Sequence, residues 1–170
     1  KVSATHEARS RETIHHQFLA SSLSMTAVYG PPSKGEEKMN SRTAIFPTDR
    51  HALYQAHGYS AAIASGGLLF VSGQVGSRSD GSPEPDFAAQ VRLAFANLEA
   101  TLSAGGCSFD DVVDVTTFHT DPENQFGVIM AVKNEVFPEP PYPSWTAIGV
   151  TWLAGFDFEI KVIARIPSNR

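Results

Sequence analysis

Apolar residues fall into two kinds of spacing along this chain. Phe87, Val91, Ala94, Phe95, Leu98 and Leu102 recur at the interval of one helical face. Asp86 stands before them as an N-cap, and Gly105-Gly106 after them as a stop. Gln90, Arg92 and Glu99 fall on the opposite, polar face. A second helix is predicted from about Pro122 to Phe137, opened by Asp121-Pro122, with Phe126, Ile129, Met130, Val136 and Phe137 turned inward. Pro138, Pro140, Pro141 and Pro143 end it in an extended loop. Elsewhere the period is two. Phe156, Phe158, Ile160, Val162, Ala164 and Ile166 alternate with Asp157, Glu159, Lys161, Ile163 and Arg165, which predicts a terminal strand. Val112 to Thr120 reads as another, with Val113, Val115, Thr117 and His119 on one face. Tyr59 to Ser65 and Leu68 to Ser72 pair as a hairpin around Gly66-Gly67. Residues 77–85 form a loop, and Ser144 to Thr151 forms a strand.

The order is thus strand, strand, helix, strand, helix, strand, strand, an α+β fold with two helices on one face of a single sheet. The other face still carries apolar groups that a lone subunit would leave open. A closed homo-oligomer with its sheets packed together is expected. Glu159, on the strand face away from the helices, would then lie near a subunit boundary.

Composition narrows the function. The 170 residues are 42% apolar and 18% charged, which fits one folded domain. The net charge of -5, with scattered lysines and arginines, disfavours phosphate-driven nucleic-acid binding. Cys107 is the single cysteine, so an intrachain disulfide and a cysteine metal cluster are both excluded, and a cytoplasmic setting fits. No apolar run approaches the roughly 20 residues of a membrane-spanning helix. No phosphate loop, zinc spacing or Ser/His/Asp pattern appears, so neither a metal nor a cofactor is expected. Residues 1–40 are polar, serine-rich and without period. They read as a leader or tag-like extension, with 41–170 as the single domain, and an organelle-targeting peptide is the alternative.

The chemistry concentrates where the second strand ends, at Ser72-Gly73-Gln74. A hydroxyl, a bare backbone and an amide meet there, and Gly73 lets another group approach closely. The plain alternative is a strand followed by a turn. Glu159 is the candidate acid–base group, set against a carboxylate paired with Lys161 or Arg165 across the sheet. Tyr59 offers a phenol donor or simple interface packing, and Trp145 a stacking face or simple core. His119 reads as a solvent-facing strand-end histidine, with general base as the alternative. No pattern selects His51 or His57, and Gly149 and Gly155 are assigned to a last hairpin.

An ordered set of pieces resembles the RidA (YjgF) family over about Arg42 to Pro167. The pieces are Gly66 to Gln74, Gln90 with Asn97-Leu98, Ala104-Gly105-Gly106, Asp111-Val112-Val113, Thr116 to Asp121 and Glu159 to Ala164. The resemblance implies a chorismate-mutase-like fold, a homotrimer about a threefold axis, and small-molecule clefts between subunits. It also implies hydrolysis of reactive imines and enamines, with Tyr59, Ser72, Gly73 and Glu159 matching cleft positions. In the family an arginine in a Pro-Ala-Arg motif holds the substrate carboxylate. Here the triplet is Pro143-Ser144-Trp145, and Ala147 stands where some members carry cysteine. Indole has one N–H donor and no charge, so the bidentate carboxylate clamp is lost. The expectation is a hydrolase or deaminase for a small imine or enamine held some other way. The alternative is a non-catalytic trimer that binds a metabolite or partner. RNA cleavage, attributed to some members, fits the acidic charge least.

Overall fold

A computed structural model describes residues 41–48 and 51–168; the leader reading for 1–40 lies outside the described residues. Seven strands form one mixed sheet: β1 (Thr43–Ile45), β2 (Ala62–Ser65), β3 (Leu68–Val71), β4 (Gln74–Val75), β5 (Val112–His119), β6 (Ser144–Gly149) and β7 (Phe158–Arg165). The helices are α1 (His51–Ala56), α2 (Phe87–Ala104) and α3 (Pro122–Val136), with a 3-10 turn at Phe109–Asp111. The strand order is β1-β2-β3-β7-β5-β6, and β4 also pairs with β7. Among the described residues only β5 and β6 run parallel.

The terminal strand sits at the centre because its alternation is complete. Phe158, Ile160, Val162 and Ala164 are all buried against the helices. They join Leu69 and Val71 of β3, Val115 of β5, Val91, Phe95, Leu98 and Leu102 of α2, and Ile129 and Val132 of α3 in one core. Phe95 lies nearly parallel to Phe158, their centroids 6.1 Å apart. The predicted hairpin is present, with Ser65 opposite Leu68 and both turn glycines at positive φ (59° and 78°). That sign at both positions is what a two-residue turn matched to strand twist requires. Asp86 caps α2 by accepting the Ala89 N–H at 2.8 Å, and Gly105 closes it with its own N–H on Leu102 and Thr101 carbonyls.

Several expectations are corrected. The order of five strands and two helices omitted β1, α1 and β4, which are too short to show a period. Tyr59 is not in a strand; it follows α1 in a loop, its ring edge-on to Tyr54 at 5.2 Å. Val113 does not share a face with Val115, because a bulge between Val112 and Asp114 puts Val112 on the core side and leaves Val113 exposed. Phe126 is 48% exposed, and Gln125 takes the inward position instead. Asp121 precedes α3 as expected, but its carboxylate accepts the Asn124 amide rather than a backbone N–H. Gln90 is buried, not on a polar face. Its amide nitrogen donates to the Glu84 carbonyl and its amide oxygen accepts the Asp157 N–H, both at 2.8 Å. β6 and β7 are not neighbours, so Gly149 and Gly155 serve no hairpin; a crossing loop, residues 150–157, joins the two strands.

His119 is also corrected: it is 1% exposed, on the helix-covered face. Its Nε2 lies 2.8 Å from Thr117 Oγ1, its ring packs on Phe158, and Nδ1 has no hydrogen-bond partner among the described residues. Burial pushes this imidazole below its ordinary value of 6.5. The folded state therefore resists a proton that the unfolded chain accepts, and stability should be lost as pH falls below about 6.5. Thermal melts of the wild type and of His119→Phe between pH 7.5 and 5 check this. The wild type should lose more of its melting temperature across that range than the variant, and parallel curves would refute it.

Candidate functional site

On the sheet face away from α2 and α3, β7 presents Glu159, Lys161 and Ile163. Beside them stand Phe118 of β5, opposite Glu159, and Phe70 of β3, opposite Ile163. Phe70, Val113 and Ile148 are exposed, so this side carries uncovered apolar surface. β4 runs along the end of β7, with Val75 paired to Glu159. Asn97 of α2 holds β4 there through its amide, which donates to the Val75 and Ser77 carbonyls at 2.8 and 3.2 Å.

Glu159 lies over the backbone at Gly73. A Cβ added to Gly73 would come 2.1 Å from Glu159 Oε1 and 2.3 Å from its Cδ. The glycine is therefore required by a side chain crossing it, not by a turn. The Glu159 carboxylate has no hydrogen-bond or ion-pair partner among the described residues. Burial raises its carboxyl above the ordinary 4.5, and Lys161, two positions along the strand, draws it partly back. Tyr59 is raised as well, first by burial and then by Tyr54 and Glu159 nearby.

These groups line a cavity of about 480 Å³ with His57, Val75, Trp152, Leu153, Ala154 and Phe156. The loop 150–157 supplies four of its walls, and Ala154 holds a left-handed φ of 53° there. Trp152 is 75% exposed at the rim. An acid, a phenol and an imidazole beside the two aromatic side chains of Trp152 and Phe156 can bind a compact organic ligand and exchange a proton with it. Among the described residues, no group of three or more His, Cys, Asp or Glu is placed to hold a metal ion, and no helix is long and apolar enough to cross a membrane.

Of the residues predicted from sequence, Tyr59, Gly73 and Glu159 come together in this cavity. Ser72 is adjacent, but its hydroxyl is turned to the Ser60 carbonyl at 2.7 Å and supports the β2–β3 end. Trp145 lies elsewhere. It is on edge strand β6, opposite Val115 and so on the helix side. Its indole N–H donates to Thr117 Oγ1 at 3.1 Å, Phe137 meets it edge-on, and the Lys133 ammonium lies 5.8 Å from its ring centre. His57, Trp152 and Phe156 were not singled out as site residues, although Phe156 was read as an inward strand residue. Trp152 and Phe156 sit in an irregular loop that carries no period; two aromatics flanking Ala154-Gly155 were the one available signal.

The geometry gives a direct expectation. Gly73→Ala forces the Glu159 side chain out of its place while leaving the core untouched. The variant should melt within a few degrees of the wild type yet bind cavity ligands at least about tenfold more weakly, because an acid displaced by about an ångström no longer meets them. Calorimetric titration checks it; unchanged affinity would show that Glu159 does not contact the ligand.

The sequence profile of the family described as Endoribonuclease L-PSP matches residues 49–166. RutC family protein YjgH of Escherichia coli (strain K12) is 76% identical over 131 residues, covering 77% of this chain and all of that protein. The 2-iminobutanoate/2-iminopropanoate deaminase of Dermatophagoides farinae is 32% identical over 97 residues, covering 56% of this chain and 74% of that protein. A solved structure of protein YjgH superimposes with a TM-score of 0.72 at 76% identity, over 75% of this chain and 98% of that one. A profile match over most of the folded part and a near relative matched along its whole length place this chain in the RidA (YjgF) family.

Proposed function

We propose that the protein hydrolyses a small imine or enamine, releasing ammonia and a carbonyl compound, in the cavity built on Glu159. The observation that carries this is the Glu159 carboxylate, without a hydrogen-bond or ion-pair partner among the described residues, half-buried over Gly73 and lining the cavity beside Tyr59. A carboxyl raised by burial sits closer to neutral pH, where it can take and return a proton within one cycle. In the first step Glu159 accepts a proton from water as its oxygen adds to the carbon of a protonated imine, giving a carbinolamine. In the second, Glu159 returns that proton to nitrogen, the carbon–nitrogen bond breaks, and the hydroxyl proton leaves with ammonia as ammonium. A homotrimer completes the site in this reading. The uncovered apolar face, with Phe70 and Ile148, favours packing against further copies. The β6 edge of a neighbouring copy would close over the cavity, and the position where an arginine-bearing relative presents a cation holds Trp145, whose indole is engaged on the helix side and brings no charge. A 2-imino acid then has no bidentate anchor.

Two substrates formed in situ test this, an imine without a carboxylate and the enamine 2-aminoacrylate, which tautomerises to a 2-imino acid. The expected result is accelerated ammonia release from the first and little gain over buffer for the second. If 2-aminoacrylate is handled as fast as by an arginine-bearing family member, the role given to Trp145 is wrong. If neither is accelerated, the catalytic reading fails.

A further inference from the structure

The cavity's electrostatics point to one kind of ligand. Among the described residues its lining holds one carboxylate and the rings of Tyr59, Trp152 and Phe156, but no lysine and no arginine. Among the described residues, the charged and titratable groups near Glu159 are His57 and Tyr59 within the cavity, Tyr54 behind Tyr59, and Lys161 along β7 outside the lining. Tyr54 is occupied, its hydroxyl donating to Gln74 Oε1 at 3.1 Å. An anion entering here meets an unpaired acid and the negative faces of three rings. A cation meets complementary charge on each of them. Among the described residues the acid also has no internal partner that a ligand would have to displace.

We propose that this cavity is selective for organic cations: an ammonium or protonated-imine nitrogen beside Glu159, with an apolar or aromatic substituent among Tyr59, Trp152 and Phe156. This rests on the reading of the cavity as the substrate site, and it names the substrate class: imines of amines or carbonyls without a carboxyl group. The selectivity serves the chemistry, because the protonated imine is the form that water attacks. Glu159 would hold that form before taking the proton from water.

The full chain is titrated calorimetrically at pH 7.5 with benzyltrimethylammonium, benzyl alcohol and phenylacetate. The cation should bind about tenfold or more tightly than the alcohol, and phenylacetate most weakly. Glu159→Gln should abolish the preference for the cation, and Trp152→Ala should reduce it severalfold; both variants should melt cooperatively, since Trp152 is exposed. Benzyltrimethylammonium carries its charge at every pH, so its affinity in His57→Gln should still rise with pH as Glu159 ionises. Phenylacetate binding as tightly as the cation, or Glu159→Gln keeping the preference, overturns the proposal. Turnover of a carboxyl-free imine without any preference for the cation overturns cation selection while the hydrolase reading stands. If none of the three probes binds, the cavity reading falls with it.

Discussion

Glu159→Gln should lower imine turnover by about 10²–10⁴-fold, the usual contribution of a positioned acid–base group, while the protein remains folded. Gln keeps the size of the side chain and so its place over Gly73, but it can neither accept nor return a proton. Stability moves in the other direction, which separates this result from simple damage. Burial raises the Glu159 carboxyl in the folded state. A raised carboxyl favours folding below its unfolded value, and that benefit is lost as pH rises through the folded value. At pH 7.5 the ionised side chain is therefore a burden that Gln removes, and the variant should melt at or above the wild-type temperature. Near pH 4 the two should converge. Steady-state ammonia release together with melts at both pH values tests this. Turnover within about threefold of wild type would remove Glu159 from the mechanism, and a large loss of melting temperature would mean that it is structural. Unchanged ligand affinity with no turnover in either protein would favour the non-catalytic binder.

Phe158→Ala should destabilise the domain by about 3–5 kcal/mol, a large part of what a domain of this size has. Phe158 is fully buried on the central strand, lies against Phe95 at 6.1 Å, and carries the His119 ring at 5.6 Å. Its removal leaves a cavity between the sheet and α2 that neither backbone can close. Phe126→Ala is the control. The same atoms are deleted from a residue 48% exposed, and the cost should stay below about 1 kcal/mol. Chemical denaturation with an unchanged slope measures both. Equal losses would contradict the placement of the core.

The long elements were legible because their patterns are redundant. α2 has six apolar residues on one face between a capping acid and two glycines, and β7 alternates without a break. The family's pieces then located Tyr59, Gly73 and Glu159, which the fold brings to one cavity. Other features could not be read locally. Gln90 looked exposed because polar side chains on a helix usually are, but it is buried where two backbone groups need a partner. Val113 seemed to follow the strand period, and a bulge broke that period one residue earlier. Trp145 reads equally as a stacking face or as core from sequence, and in this chain its N–H and ring are engaged by Thr117, Phe137 and Lys133 on the helix side. The cavity walls in the β6–β7 loop depend on three-dimensional placement, which period-based reading does not reach.

The Gln90 clamp has an implication for how this architecture can diversify. The stem of the β6–β7 crossing is fastened at Asp157 by a helix amide, and at its other end by the Val150 N–H on the His119 carbonyl. Neither tether involves the side chains of Trp152, Leu153, Ala154 or Phe156. Those four positions thus behave as an interchangeable cassette. Grafting a different hexapeptide between fixed anchors would retune molecular preference without disturbing the scaffold beneath it.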